Sequence, residues 1–305
     1  MDASIWLWAG VIGFIVIMLL IDLLIFQREA HEVSMSEAIK WSCFWVFCGL
    51  TFGGIVFLIG GSKPAGEYMA GYLIEKSLSI DNIFIFALIL SYFAVPLKYQ
   101  HRVLFFGVLG ALVLRAIFIV LGSAILENFA WAIYFFGALL VVTGLKLAVQ
   151  KETEVHPERN LILRLVRRIS PMTPDYRGEA FVVKEAGKWI ATPLLAVLIV
   201  IETTDVVFAI DSIPAIFAIT QDTFIVFTSN AFAILGLRAL YFVFAGAMGR
   251  FVYLKIGLAV ILVFVGIKML ISDLYHIPIG LSLGFIALAL TVSIVASLRA
   301  TREVT

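Results

Sequence analysis

Hydrophobic residues in this chain come in unbroken runs rather than in the stripes of a soluble amphipathic helix. Runs near 4–26, 41–61, 65–93, 103–126, 129–150, 192–218, 224–246, 251–272 and 277–298 each approach or exceed the roughly 20 apolar residues that cross a bilayer as a helix. One long polar stretch, 151–190, lies between the fifth and sixth runs. Within lipid every backbone N–H and C=O must be bonded inside its own segment, which favours helices over open strands. The pattern therefore predicts an all-α, polytopic transmembrane helix bundle of about nine spans, a single transmembrane domain over 1–305. The opening run, MDASIWLWAGVIGFIVIMLLIDLLIF, lacks a basic leader and is too long for a signal peptide, so it is read as the first span.

Composition agrees. The 305 residues are 62% hydrophobic with a mean hydropathy of +1.08, and the lipid bilayer is the expected partner. A net charge of only +1 argues against a nucleic-acid partner. Cys43 and Cys48 sit in one apolar run, five apart and with no histidine nearby, and are read as packing residues. Lysine and arginine then set the orientation. With the N-terminus outside, sixteen fall in inner loops, Lys63 alone in an outer loop, and five (Lys76, Arg115, Lys146, Arg238, Lys268) within spans. Such asymmetry predicts N-out, C-in. In the polar loop, NLILRLVRRIS (160–170) has the makings of a surface helix on anionic headgroups, and FVVKEAGKWIAT (181–192) those of a small hairpin.

The chain also repeats itself. EKSLSIDN (75–82) matches DVVFAIDS (205–212), LVLRAIFIV (112–120) matches LGLRALYFV (235–243), and TGLK (143–146) matches VGIK (265–268). Pro64 and Pro193 precede the first pair of motifs at near-equal spacing, each suited to a helix's first turn. The expected units are repeat 1 at 65–150, a cytoplasmic loop at 151–190 and repeat 2 at 191–272. Each repeat holds three spans (3–5 and 6–8). Three is odd, so the copies must be inverted, an architecture common among secondary transporters.

Six acids stand out within the spans: Asp22, Glu75, Asp81, Glu202, Asp205 and Asp211. An ionised carboxylate at mid-membrane costs roughly 2.5–3.5 kcal/mol on insertion scales, so these must face the interior and be protonated, paired or bound to a cation. Arg115, Arg238 and Lys76 are the deep partners, which leaves three negative charges for a divalent cation or exchangeable protons. Glu75 and Asp205 suit Arg115 and Arg238 as ion-pair partners. Asp22 lies close enough to its span's end to reach the interface instead. Glu75 shares a helix face with Asn82, and Asp205 with Ser212, whereas Asp81 sits about 120° from Glu75 in an ideal helix. A break would let both acids reach one site: Pro214 predicts one in the second copy, freeing the Ile210 carbonyl, and Ser77 or Ser79 would have to supply one in the first. Glu127, Asp222 and Asp273 read as solvated charges at span edges. Carboxylate, amide, hydroxyl and carbonyl ligands suit Mn²⁺, Mg²⁺ or Ca²⁺. His31, His101, His156 and His276 lie at span ends or in loops, which disfavours Zn²⁺ or Cu⁺.

At GYLIEKSLSIDNIFIF (71–86) and IETTDVVFAIDSIPAIFAIT (201–220) the chain resembles the TerC family of integral membrane proteins, within it the bacterial Alx branch. The likeness continues through FTSNAFAILGLRALYFVFAG, KIGLAVILVFVGIKMLI and YHIPI and omits only 151–180. By resemblance the expected function is export of Mn²⁺ from the cytoplasm across the bacterial inner membrane. The metal site would be built from Asp81, Asp211, Glu75, Asp205, Glu202, Asn82, Ser212 and Asp22. No cofactor is expected; Mn²⁺ is the substrate, and protons are a candidate counter-ion. Export of another hard cation such as Ca²⁺, or a scaffold for membrane-protein biogenesis, are the alternatives. An intramembrane aspartyl protease would carry GxGD; Asp211 instead follows FAI and Asp81 follows LSI, so no enzyme is expected.

Overall fold

The computed structural model describes residues 4–26, 34–129, 131–149, 172–185, 187–245, 253–275 and 277–302, and helix occupies every apolar run. The elements are α1 (Ile5–Phe26), α2 (Met35–Gly60), α3 (Ser62–Tyr92), α4 (Leu97–Asn128), α5 (Ala132–Val149), β1 (Val182–Glu185), β2 (Lys188–Ala191), α6 (Pro193–Phe217), α7 (Thr223–Ile234), α8 (Leu237–Ala245), α9 (Leu254–Leu270) and α10 (Ile279–Arg302). By length and composition five of these helices can cross a membrane: α2, α4, α5, α6 and α10. The pair α7 and α8, bent by 40° at a short break, would make a sixth. Of the others, α1 is apolar over Ile5–Ile21, α9 has 17 residues, and α3 carries Glu67, Glu75, Lys76 and Asp81 along its length. The chain is thus a polytopic helix bundle.

Local signals explain the ends. Ser34 caps α2, accepting from the Glu37 N–H at 3.2 Å, and Asp222 caps α7, accepting from Phe224 and Ile225 at 3.0 and 3.3 Å, as N-cap residues do. Asp222 is therefore structural rather than merely solvated. Pro193 opens α6 and Pro64 lies in the first turn of α3, where a missing N–H leaves no bond unmade. The FVVKEAGKWIAT hairpin forms, with β1 antiparallel to β2 and Glu185 opposite Lys188. It is fastened to the start of α4: Arg102 pairs with Glu179 at 2.7 Å and lies over the rings of Phe106 and Phe181. Tyr176 donates to the Phe93 carbonyl at 2.6 Å, and burial pushes its hydroxyl above the ordinary tyrosine range. The 160–170 segment lies outside the described residues.

Two breaks expected from sequence are not where the helices break. α6 runs through Pro214 and ends three residues later, and α3 is continuous across Ser77 and Ser79. Pro214 gives up only its own N–H bond, to the Ile210 carbonyl, and the helix carries on to Phe217, while Ser77 bonds back to the Leu73 carbonyl at 2.5 Å without interrupting the ladder. The break falls instead at Leu235–Gly236, where Gly236 adopts φ +84, a conformation natural to glycine. Lys76 secures it, donating to the Ala233 carbonyl at 3.0 Å, one of the orphan acceptors at the end of α7.

The core lies where α2, α3, α4, α6 and α7 meet, with Phe52 stacked on Phe232 and tilted against Tyr68. Gly49 and Gly53 on α2 leave the space that Tyr72 and Tyr68 of α3 fill. A second, independent seam joins α5 to α9. A side chain at Gly144 would meet Ala259 and Val263, which lie seven and three residues before Gly266. One at Gly266 would meet Gly137 and Val141, which lie seven and three residues before Gly144. The two helices are therefore antiparallel and their contacts reciprocal, with backbones close enough that only glycine fits.

Replacing either glycine should wedge this seam. Gly144→Ala and Gly266→Ala are each expected to lower stability by about 1–3 kcal/mol through overpacking, and to a similar degree. Gly284→Ala, which meets nothing within 4 Å, should not. Thermal unfolding of the detergent-purified variants, followed by size-exclusion chromatography, measures the difference.

Candidate functional site

The chemistry gathers around Arg115. Helices α4 and α6 run parallel, because Gly107 approaches Ile201, Gly110 approaches Glu202 and Gly122 approaches Phe217 in the same order along both. These glycines bring the backbones together and leave Arg115, 1% exposed, pointing into the interior. Its guanidinium grips Asp205 with two bonds, Nε to Oδ2 at 3.1 Å and Nη2 to Oδ1 at 3.0 Å. Its Nη1 donates to Glu75 Oε1 and, at 3.1 Å, to Ser212 Oγ. The remaining Glu75 oxygen accepts from Asn230 Nδ2 of α7 at 3.0 Å. Glu75, Asp205 and Ser212 are all buried. Three helices thus meet on one guanidinium, a fourth joins them through Glu75, and two carboxylates face one cationic side chain. A buried charge is tolerable only when paired and hydrogen-bonded, and every oxygen of both acids is.

The other predicted residues lie around this centre, not all within it. Glu202, one turn before Asp205, rests its carboxylate in the slot that Gly110 leaves open, and its Oε2 is buried without a hydrogen-bond partner among the described residues. Asp211 turns the other way, toward α5, and accepts from Thr143 at 3.0 Å. Because α6 is unbroken, Asp211 keeps its helical offset of about 120° from Asp205 and does not join the Arg115 cluster. Asn82 is buried, and its Nδ2 finds no partner among the described residues; neither does Ser79 Oγ. Asp81 falls in the unbroken α3 and so lies at the same offset from Glu75, and Asp22 falls in α1; both side chains are outside those described. Among the described residues, no three His, Cys, Asp or Glu side chains converge.

Three pairings differ from expectation. Arg115 holds both Glu75 and Asp205, while Arg238, beyond the 235–236 break, lines a separate small cavity with Glu37, Trp41 and His101. The bend in the second copy carries its arginine away from the acids. Lys76 serves the α7 terminus rather than a carboxylate. Glu127 and Asp273 keep hydrogen bonds at the helix edges, from Ser123 and Tyr134 respectively. Sequence reasoning overlooked Asn230, Thr143 and Glu67. Glu67 is 9% exposed, accepts from Thr220 at 2.7 Å and lines a cavity of about 240 Å³ with Lys63 and Lys268. Its signal was its place inside the 65–93 run; Asn230 and Thr143 are neutral and carry none.

The sequence pattern of the TerC family of integral membrane proteins matches residues 60–305, which include every residue of the Arg115 cluster. The chain belongs to the TerC family. A membrane protein of Myxococcus xanthus is 52% identical over 97% of this chain and 93% of its own length. The Escherichia coli (strain K12) protein named a candidate membrane-bound redox modulator, Alx, is 50% identical over 92% of this chain and 90% of its own. Its namesake in Salmonella typhi is 49% identical over 95% and 92%. No solved structure matches significantly.

Removing one member of the buried cluster strands the charge of another. Asp205→Ala is expected to lower stability by about 3–5 kcal/mol. Asp211→Asn, at a half-buried site with one hydrogen bond, should shift it far less. Thermal unfolding in detergent distinguishes the two.

Proposed function

We propose that this TerC-family protein exports hard divalent cations, Mn²⁺ foremost, from the cytoplasm through an acidic site near the membrane midplane. The observation that carries the reading is the meeting of Glu75 and Asp205, from equivalent places in the two sequence repeats, at one fully buried point. Two inward-facing acids at that depth are a functional signature in membrane proteins. The donors around them are carboxylate, amide and hydroxyl oxygens, which favour Mn²⁺, Mg²⁺ or Ca²⁺ over Zn²⁺ or Cu⁺. Asp81, Asp211, Glu202, Asn82 and Ser212 complete the path in this reading, with Asp22 near one end. Mn²⁺ rather than Ca²⁺ follows from the family resemblance, not from the donor set.

The proposal includes nine spans, N-out and C-in, in a bacterial inner membrane, with spans 3–5 and 6–8 as inverted repeats. Its support is the sixteen-to-one lysine and arginine asymmetry and the reciprocal contacts that Gly144 and Gly266, equivalent residues of the two copies, make across the antiparallel pair α5 and α9. A redox role, as in the relatives' name, has less behind it. Cys43 and Cys48 are free and about 140° apart around α2, so they cannot bridge one another. The protein is read as a transporter without a resident cofactor, not an enzyme.

Flux into inside-out vesicles tests the reading. Mn²⁺ uptake should collapse in Asp81→Asn and Asp211→Asn at matched expression and persist in Glu127→Gln, which lies at a helix edge. Protons and the cation compete for the same carboxylates, so uptake should fall as the medium is acidified. Zn²⁺ should compete weakly. Normal export by both Asp→Asn variants would make those acids structural, and absence of any metal flux would favour a biogenesis scaffold.

A further inference from the structure

The acids best placed to take a transported cation are already held by a cation of the protein's own. Arg115 bonds three of the four carboxylate oxygens of Glu75 and Asp205, and Asn230 bonds the fourth. A metal ion drawn to those oxygens would meet the guanidinium at contact distance, where the two positive charges repel. We propose that Arg115 is an internal counter-ion that competes with the transported divalent cation for Glu75 and Asp205, and that Glu202 receives it when the cation displaces it. The inference rests on the cation-export reading and adds to it a swing of one side chain.

Charge balance motivates the exchange. Two carboxylates and one guanidinium leave a formal charge of −1, whereas two carboxylates and a divalent ion are neutral, so the cation suits the acids better than Arg115 does. The obstacle is the displaced guanidinium, which would be costly to leave unpaired in the interior. Glu202 removes it. It lies one turn before Asp205 on α6, level with Gly110, on the N-terminal side of Arg115 along the parallel α4. Helical side chains lean toward the N-terminus of their helix, so the arginine stem reaches in that direction without backbone movement. Among the described residues Glu202 Oε2 is buried with no partner, a condition that is rare and unfavourable unless something comes to satisfy it. Gly110 is what admits the carboxylate there, since any Cβ at that position would collide with it. In the cation-free protein the guanidinium offsets one of the two acidic charges; in the cation-bound protein Glu202 neutralises the guanidinium. Neither state then leaves the guanidinium unpaired in the core.

Mn²⁺ binding to the purified full-length protein, read from the paramagnetic resonance signal of free Mn²⁺, tests this as a double-mutant cycle. Arg115→Met removes the competitor and should bind Mn²⁺ about tenfold more tightly or better, while vesicle flux falls because nothing replaces the ion on release. Glu202→Gln removes the acceptor and should weaken binding by about tenfold. The double variant Arg115→Met/Glu202→Gln should regain the tight binding of Arg115→Met, because Glu202 acts only through the arginine. A folded Arg115→Met with unchanged or weaker affinity overturns the proposal. So does a double variant as weak as Glu202→Gln, which would make Glu202 a direct ligand. If Arg115→Met does not fold, Arg115→Lys, which keeps the charge but loses the two-pronged grip, must bind more tightly than wild type by a smaller factor; equal affinity overturns the proposal. Wild-type protein that neither binds nor transports Mn²⁺ removes the cation reading itself, a result distinct from all of these.

Discussion

A guanidinium buried with two carboxylates in a membrane-spanning bundle constrains everything packed around it. None of the three charges can be solvated, so each must find its partners from neighbouring helices, and those helices must hold their positions within hydrogen-bonding distance. Arg115 comes from α4, Glu75 from α3, Asp205 and Ser212 from α6, and the Asn230 that completes the shell from α7. The apolar core supplies bulk contact but little directional preference, because lipid tails compete for the same surfaces. The ion cluster supplies direction. It fixes the rotation of four helices about their own axes.

Glycine makes that geometry reachable. Gly107, Gly110 and Gly122 let α4 close on α6, Gly49 and Gly53 let α2 receive the tyrosines of α3, and Gly144 and Gly266 let α5 close on α9. Close backbone approach shortens the reach a polar side chain needs, so Arg115 can hold acids on two other helices at once. At Gly236 the residue has a different use. Its positive φ bends the second copy where the first runs straight as α4, and Lys76 holds the freed carbonyl of Ala233. Two copies of similar sequence therefore reach dissimilar ends. One arginine stands at the centre, and the other, Arg238, stands beside Glu37 and His101 at the far side of the break.

The position of nearly every helix was legible in the sequence, because the bilayer leaves a long apolar run only one conformation with all its backbone bonds made. The hairpin was legible too, from alternation around Gly187. The candidate site was legible in its parts. Glu75, Asp205 and Ser212 were singled out, and Glu75 and Asp205 do meet a buried arginine. What periodicity could not say was which arginine. A helical wheel places Glu75 and Asn82 on one face but does not name the helix opposite. Neutral Asn230 and Thr143 gave no signal, since amides and hydroxyls are common in spans and gain meaning only from what they touch. Pro214 misled because a proline's effect depends on how much helix follows it, and here only three residues do.

Composition and hydropathy alone thus determined the class, an all-α membrane bundle with acids too costly to be idle, because burial energies in lipid are large and read residue by residue. Tertiary structure alone decided that Arg115 takes both acids, that Glu202 stands in the Gly110 slot with one oxygen unpartnered among the described residues, and that Asp211 faces Thr143 instead. The reason is physical. Each of those outcomes depends on the rotation and spacing of helices far apart in sequence, set by glycine contacts and ion pairs that no single segment contains.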